Sequence, residues 1–151
     1  MVKSPPYFKQ NTKYTCGPAC IRMALAQTKI QKPEKWLEKR MHTNRITGTN
    51  YCEFSKIARR FGFEYTQATA ADYLQITDFL NRGFVVIVCF FCIKEKYGHY
   101  AIVKKITSRK ITLLDPWYGP RHEYTKKYFW NAWTLGGTIK PKTRWLFALK
   151  K

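Results

Sequence analysis

The run Phe84-Val85-Val86-Ile87-Val88-Cys89-Phe90-Phe91 leaves the chain few ways to fold. An unbroken series of β-branched and aromatic residues predicts a strand, and a strand with no polar side must be covered on both faces. The apolar stretch ends at Ile93, far short of the roughly 20 residues that a membrane-spanning helix needs. With 151 residues, 45% of them hydrophobic, the chain is long enough to bury a core of its own. Residues 1–151 are read as one domain with no linker.

The cover comes from segments with helical periodicity. Cys16 opens a helix whose apolar side carries Cys20, Ile21, Met23, Ala24, Leu25 and Gln27, and which ends over Lys29 to Lys32. Cys20 is thereby a core residue. Pro33 to Met41 predicts a second helix with Trp36, Leu37 and Met41 inward. Tyr51 to Phe61 predicts a third, presenting Phe54, Ile57, Ala58 and Phe61, with Gly62 as its C-terminal stop. Phe63 to Thr69 follows as a strand, and Asp72 to Arg82 as a helix carrying Leu74, Phe79 and Leu80 and closed by Gly83. Beyond the apolar run, Tyr100 to Ile106 and Lys110 to Asp115 are strands joined through Thr107-Ser108-Arg109. Gly119-Pro120 reads as a turn, Tyr124 to Trp133 as a short helix over the sheet, and Arg144 to Leu149 as a last strand. Helices first and closely connected strands later predict an α+β domain, with a helical N-terminal half and a mainly antiparallel sheet in the C-terminal half.

Ahead of the first helix, Met1 to Tyr14 contains Pro5-Pro6 and no periodicity, and reads as an extended arm that delivers Gln10 beside Cys16. Gly17 relaxes the backbone at the corner, and Pro18 suits a first helical turn. Cys16 therefore stands at a helix N-terminus, where free N–H groups and the macrodipole favour a thiolate. Two later segments, Gly98-His99-Tyr100 and Leu113-Leu114-Asp115-Pro116, supply a base and an acid near the ends of two strands joined by a short loop. Antiparallel pairing would set His99 and Asp115 side by side. Acyl transfer through sulfur needs a thiolate, an imidazole to hold and pass a proton, a carboxylate to orient the ring, and donors for the oxyanion. Cys16, His99, Asp115, the Gln10 amide and the backbone N–H of Cys16 fill those places. Singly, each has an ordinary explanation: a buried cysteine is most often packing, and Asp-Pro often ends a strand. Their combination carries the functional reading.

Gln10, Cys16-Gly17-Pro18-Ala19, Gly98-His99-Tyr100 and Asp115-Pro116 together resemble the C39 (bacteriocin-processing) peptidases and their stand-alone relatives. The pair Gly48-Thr49 followed by a helix matches the same family. The resemblance implies a papain-like fold, with the nucleophile on the helical half and the histidine and acid on the sheet. It implies a cysteine peptidase that works through a thioester on Cys16, with His99, Asp115 and Gln10 in the roles above and no cofactor. It also implies a peptide or protein substrate, cut in many family members after a Gly-Gly pair in a leader. Thr15 departs from the pattern, since the residue before the nucleophile is usually acidic. Members often sit at the head of peptide-exporting ABC transporters, and this sequence shows no membrane or ATPase segment.

The remaining features read as structural. Cys89 and Cys92 have a spacing known from zinc sites, but strand residues three apart point to opposite faces, so no metal is assigned. His42 and His122 have no matched partner in the sequence and read as surface or loop residues, and Gly136-Gly137 reads as a turn. The aromatic residues fall at core spacings, without a nucleic-acid motif. The net charge of +19, from 28 basic against 9 acidic residues, predicts attraction to acidic peptides, to nucleic acid without sequence preference, or to an anionic surface. Five cysteines, an odd number, and no signal-like N-terminus predict a reducing, cytoplasmic setting. Other thiol acyl transfers on the same fold (amidase, isopeptidase, transglutaminase-like, toxin effector) and a basic binding module without turnover stay open.

Overall fold

The computed structural model describes residues 3–135 and 143–151. Three helices come first, α1 (Cys16–Gln27), α2 (Glu34–Arg40) and α3 (Cys52–Arg60). Then follow β1 (Glu64–Ala68), α4 (Tyr73–Asn81), β2 (Val85–Cys92), β3 (Tyr97–Ile106), β4 (Lys110–Asp115), β5 (Gly119–Thr125), α5 (Lys126–Ala132) and β6 (Leu146–Lys150). The strands form one sheet in the order β1-β6-β2-β3-β4-β5, with each neighbouring pair antiparallel.

The apolar run is covered on both sides, as its composition requires. Val85, Ile87 and Cys89 of β2 face a core built with α1, α2 and α3, through Ile21, Met23, Leu37, Phe54 and Ile57. Val86, Val88, Phe90 and Cys92 face a second core with Ile76 of α4 and Phe129 of α5. Cys89 and Cys92 therefore lie on opposite faces and cannot share one metal ion. Among the described residues no helix is long and apolar enough to cross a membrane.

Several boundaries follow the sequence closely. Gly62 and Gly83 take φ of +71° and +86° just past α3 and α4, conformations that glycine adopts without the cost of a Cβ. Asp72 caps α4 in a reciprocal capping box with Gln75. Thr107 closes the β3–β4 turn by donating its N–H to Lys110 O at 2.9 Å.

Four readings need correction. Gly119-Pro120 is not a turn before a helix but the start of β5, paired with β4 from Asp115↔Gly119 to Lys110↔Thr125. β5 is an edge strand, where proline costs no ladder bond, and its alternation is too polar to announce itself. Leu74 is 80% exposed, and α4 buries Ile76 instead. β3 begins at Tyr97, so His99 lies within a strand opposite Phe90. Gly17 sits inside α1 with no unusual backbone angle: a Cβ there would come 2.6 Å from Thr49 Oγ1 and 2.9 Å from Thr49 Cβ. Close approach of the Thr49 loop, not freedom at a corner, is what requires glycine. Gly136-Gly137 lies outside the described residues.

Candidate active site

α1 begins at Cys16, and Thr15 before it provides no side-chain cap. The Thr15 hydroxyl is engaged elsewhere, accepting from Thr12 N at 3.1 Å. The first N–H groups of α1 are thus left without a side-chain acceptor, and the positive end of the helix dipole meets the sulfur.

His99 and Asp115 form a buried pair. His99 Nε2 donates to Asp115 Oδ1 at 2.6 Å, with the two side chains 1% and 0% exposed. The other ring nitrogen, Nδ1, is buried and completes no hydrogen bond among the described residues. Cys16 lies near enough to the ring for its charge to support the imidazolium. Nucleophile–base contacts are often this loose before a substrate binds. Burial alone would push the His99 pKa down, but the hydrogen bond to Asp115 and the nearby charges of Cys16 and Asp115 outweigh it and raise the value to about 10. Asp115 moves the other way. Burial opposes its charge, yet hydrogen bonds from His122 and His99, the His99 charge and the Tyr118 N–H hold it well below the usual carboxylate range.

Asp115 is held from several directions. Its Oδ1 also accepts the N–H groups of Trp117 and Tyr118 at 2.9 and 3.0 Å, so the Asp-Pro turn is built by the same carboxylate that reaches His99. His122 Nδ1 donates to Oδ2 at 2.8 Å. This corrects the surface reading of His122, which lies on β5 with its side chain only 20% exposed. No sequence signal could have found it, because the missed strand β5 is what carries it to the aspartate. His42 does lie at the surface, but it too has a partner, Glu53 at 3.3 Å.

The arm places Gln10 by backbone as well as side chain. Tyr7 donates its hydroxyl to Asp115 O at 2.7 Å, and Gln10 N donates to Pro116 O at 2.8 Å. The buried Glu34 of α2 accepts Asn11 N with both oxygens, at 3.0 and 3.1 Å. Gln10 itself is buried; its amide nitrogen donates to Thr12 O at 2.6 Å, and its Oε1 has no hydrogen-bond partner among the described residues. Cys20 packs in the core one turn below Cys16, its thiol pKa pushed well up by burial and then by the charge of Cys16.

A cleft of about 620 Å³ opens beside Cys16, lined by Lys13, Tyr14, the loop from Arg45 to Thr49, Cys89, Tyr97, Gly98 and Tyr100. The loop is pinned by Tyr100, whose hydroxyl donates to Thr49 O at 2.9 Å, and by the Asn44↔Gly48 bridge. Its tip, Ile46, is 89% exposed. Among the described residues no acidic side chain lines this cleft.

The sequence profile of the peptidase C39 family matches residues 4–143. The chain belongs to the peptidase C39 family. Its fold agrees with solved C39 domains. The peptidase domain of Streptococcus ComA, a bifunctional ABC transporter of a quorum-sensing pathway, is 21% identical, with 94% of this chain and 95% of that one covered and a TM-score of 0.74. A double-glycine-motif protease from an AMS/PCAT transporter, solved with its leader peptide, is 20% identical over 97% and 91% of the two chains, at a TM-score of 0.70. A C39-like peptidase from Bacillus anthracis is 10% identical over 97% and 94%, at 0.73. No curated protein sequence matches the chain. C39 membership and these likenesses make the fold papain-like and support a cysteine peptidase, while the particular residues rest on the geometry above.

Proposed function

We propose that this C39 chain hydrolyses a peptide bond through a thioester on Cys16. The observation that carries the reading is the buried His99–Asp115 pair at 2.6 Å, whose free ring nitrogen neighbours a cysteine at the uncapped head of a helix. Cys16 Sγ attacks the substrate carbonyl carbon while His99 is an imidazolium. The oxyanion is met by the backbone N–H of Cys16 and by the Gln10 side-chain amide. His99 then gives its Nδ1 proton to the leaving amine as the C–N bond breaks. Water enters, loses a proton to the now neutral ring and attacks the thioester; the acid leaves as the C–S bond breaks, and Cys16 returns to thiolate beside the His99 imidazolium. Asp115 keeps its charge throughout and holds the ring's Nε2.

The substrate we assign is a peptide, cut after a Gly-Gly pair as the name of the AMS/PCAT relative suggests. Lys13 and Arg45 on the cleft wall, with no acid among its described lining residues, favour a substrate with carboxylates near the scissile bond. The test is mass spectrometry of a Gly-Gly leader peptide incubated with the protein. A single cut with one water added supports the reading. Intact peptide, or a product carrying an added amine, removes it.

A further inference from the structure

The hydrogen bond from His122 is not required by the mechanism above, and it reaches the one part of Asp115 that His99 leaves open. Oδ1 serves His99, Trp117 and Tyr118, whereas Oδ2 has His122 at 2.8 Å. Asp115 is fully buried, so a carboxylate oxygen without a donor would be a buried charge without compensation. His122 is itself gripped. The rings of Tyr118 and Tyr124 pack on its imidazole at 4.8 and 4.5 Å between centroids, and Tyr128 stacks on Tyr124 from α5. Opposite it on β4 is the apolar Leu113. Its chain neighbours Arg121 and Glu123 are exposed on the other side of the strand, where Glu123 pairs with Lys110 at 3.2 Å. Tyr118 turns its hydroxyl away, to Glu95 at 3.2 Å and Cys92 at 3.4 Å. Asp115 is thus the charged group that His122 faces.

We propose that His122 is a positioning residue: by donating from Nδ1 to Oδ2 of Asp115 it fixes the plane of that carboxylate and keeps it ionised, and so holds His99 in line with Cys16. The proposal rests on the peptidase reading for its kinetic consequence but not for its structural one. Two hydrogen bonds from different rings, one on each oxygen, prevent rotation about the carboxylate bond. Without His122 the carboxylate has no ordered donor on Oδ2 and takes up a proton at a higher pH than before, which withdraws support from the His99 imidazolium. Asparagine can place an amide N–H close to where Nδ1–H stands. Leucine cannot.

The experiment compares His122→Leu, His122→Ala and His122→Asn in the full chain, each first matched to the parent by circular dichroism. Two readouts are taken across pH: kcat and KM on the Gly-Gly peptide, and the rate of Cys16 alkylation by iodoacetamide, located by peptide mapping. For His122→Leu and His122→Ala, kcat falls by about 10- to 100-fold, the loss expected when a reacting group is misplaced by up to an ångström. KM stays within about twofold, because the affected bonds do not touch ground-state substrate. The acid limb of the alkylation profile moves to higher pH in the same two variants. His122→Asn recovers most of the rate and restores the limb. A parental kcat and acid limb in His122→Leu overturn the proposal, as does a His122→Asn variant as impaired as His122→Leu. If the parent cleaves no peptide, the peptidase reading fails, yet the alkylation profiles still decide the role of His122.

Discussion

At the scale of single residues, the site sets reactivity against exposure. Cys52 is exposed, whereas Cys16, Cys20, Cys89 and Cys92 are buried, so accessibility alone predicts that Cys52 is alkylated first. The helix head and the imidazolium predict the reverse: Cys16 should react faster than Cys52, and peptide mapping after brief iodoacetamide treatment reads the order. Cys16→Ala should abolish turnover with an unchanged circular dichroism spectrum. His99 gives the pH dependence its sign. Its folded pKa of about 10 lies above the ordinary 6.5, so the imidazolium and the stability it contributes are complete below 6.5 and are lost as pH rises through about 10. Activity should share that alkaline limb. Asp115→Asn keeps a partner for the ring but removes the charge, so the limb should shift down toward 6.5, with a smaller rate loss than in His99→Ala. Cys16, His99 and Asp115 are visible in the sequence because each has an unusual neighbour, a Gly-Pro, a glycine or a proline, and Gln10 is visible by its place on the arm just ahead of Cys16. His122 has none, and the Pro33 beside Glu34 announces only the start of a helix. A histidine in a polar edge strand and a glutamate on a short helix look solvated until the tertiary fold buries their partners.

Among the elements, the α1 head and the loop before α3 are fitted to each other at Gly17. Gly17→Ala should gain about 1 kcal/mol of helix propensity and lose more to overlap with Thr49, for a net destabilisation of about 1–2 kcal/mol in urea unfolding. The same loop lines the cleft, so KM should rise. Thr49→Ala in the same chain, which removes the oxygen at 2.6 Å, should recover part of both. Of the elements, those bound by strong signals were legible: the apolar β2, and the helices α3 and α4 with glycine just beyond them. β5 was not, because Arg121, His122 and Glu123 offer no apolar alternation, and its pairing with β4 comes from a register that only the neighbouring strand provides. Leu74 was misplaced for a related reason. Helical spacing allows two faces for so short a segment, and the sheet chose the one with Ile76.

For the whole molecule, the charge of +19 and the composition of the cleft point the same way. Added salt shortens the Debye length from about 30 Å at 0.01 M to about 8 Å at 0.15 M, so kcat/KM on an acidic peptide should fall far more than on a neutral one of the same cleavage sequence. Kcat should hardly move. Lys13→Glu with Arg45→Glu should flatten the difference, and equal salt responses in the parent would separate the charge from the substrate path. The sheet order has a consequence of another kind. β6 is inserted between β1 and β2, and among the described residues β1 pairs with no other strand. During synthesis Cys16, His99 and Asp115 are all made before Leu146, but until β6 arrives the edges of β1 and β2 that it covers stay open, the second of them on the most apolar segment of the chain. Such edges invite pairing with other chains. The ribosome therefore releases the means of closing the sheet after everything the sheet must protect, and a nascent chain paused short of Leu146 should be a chaperone client and a seed for aggregation.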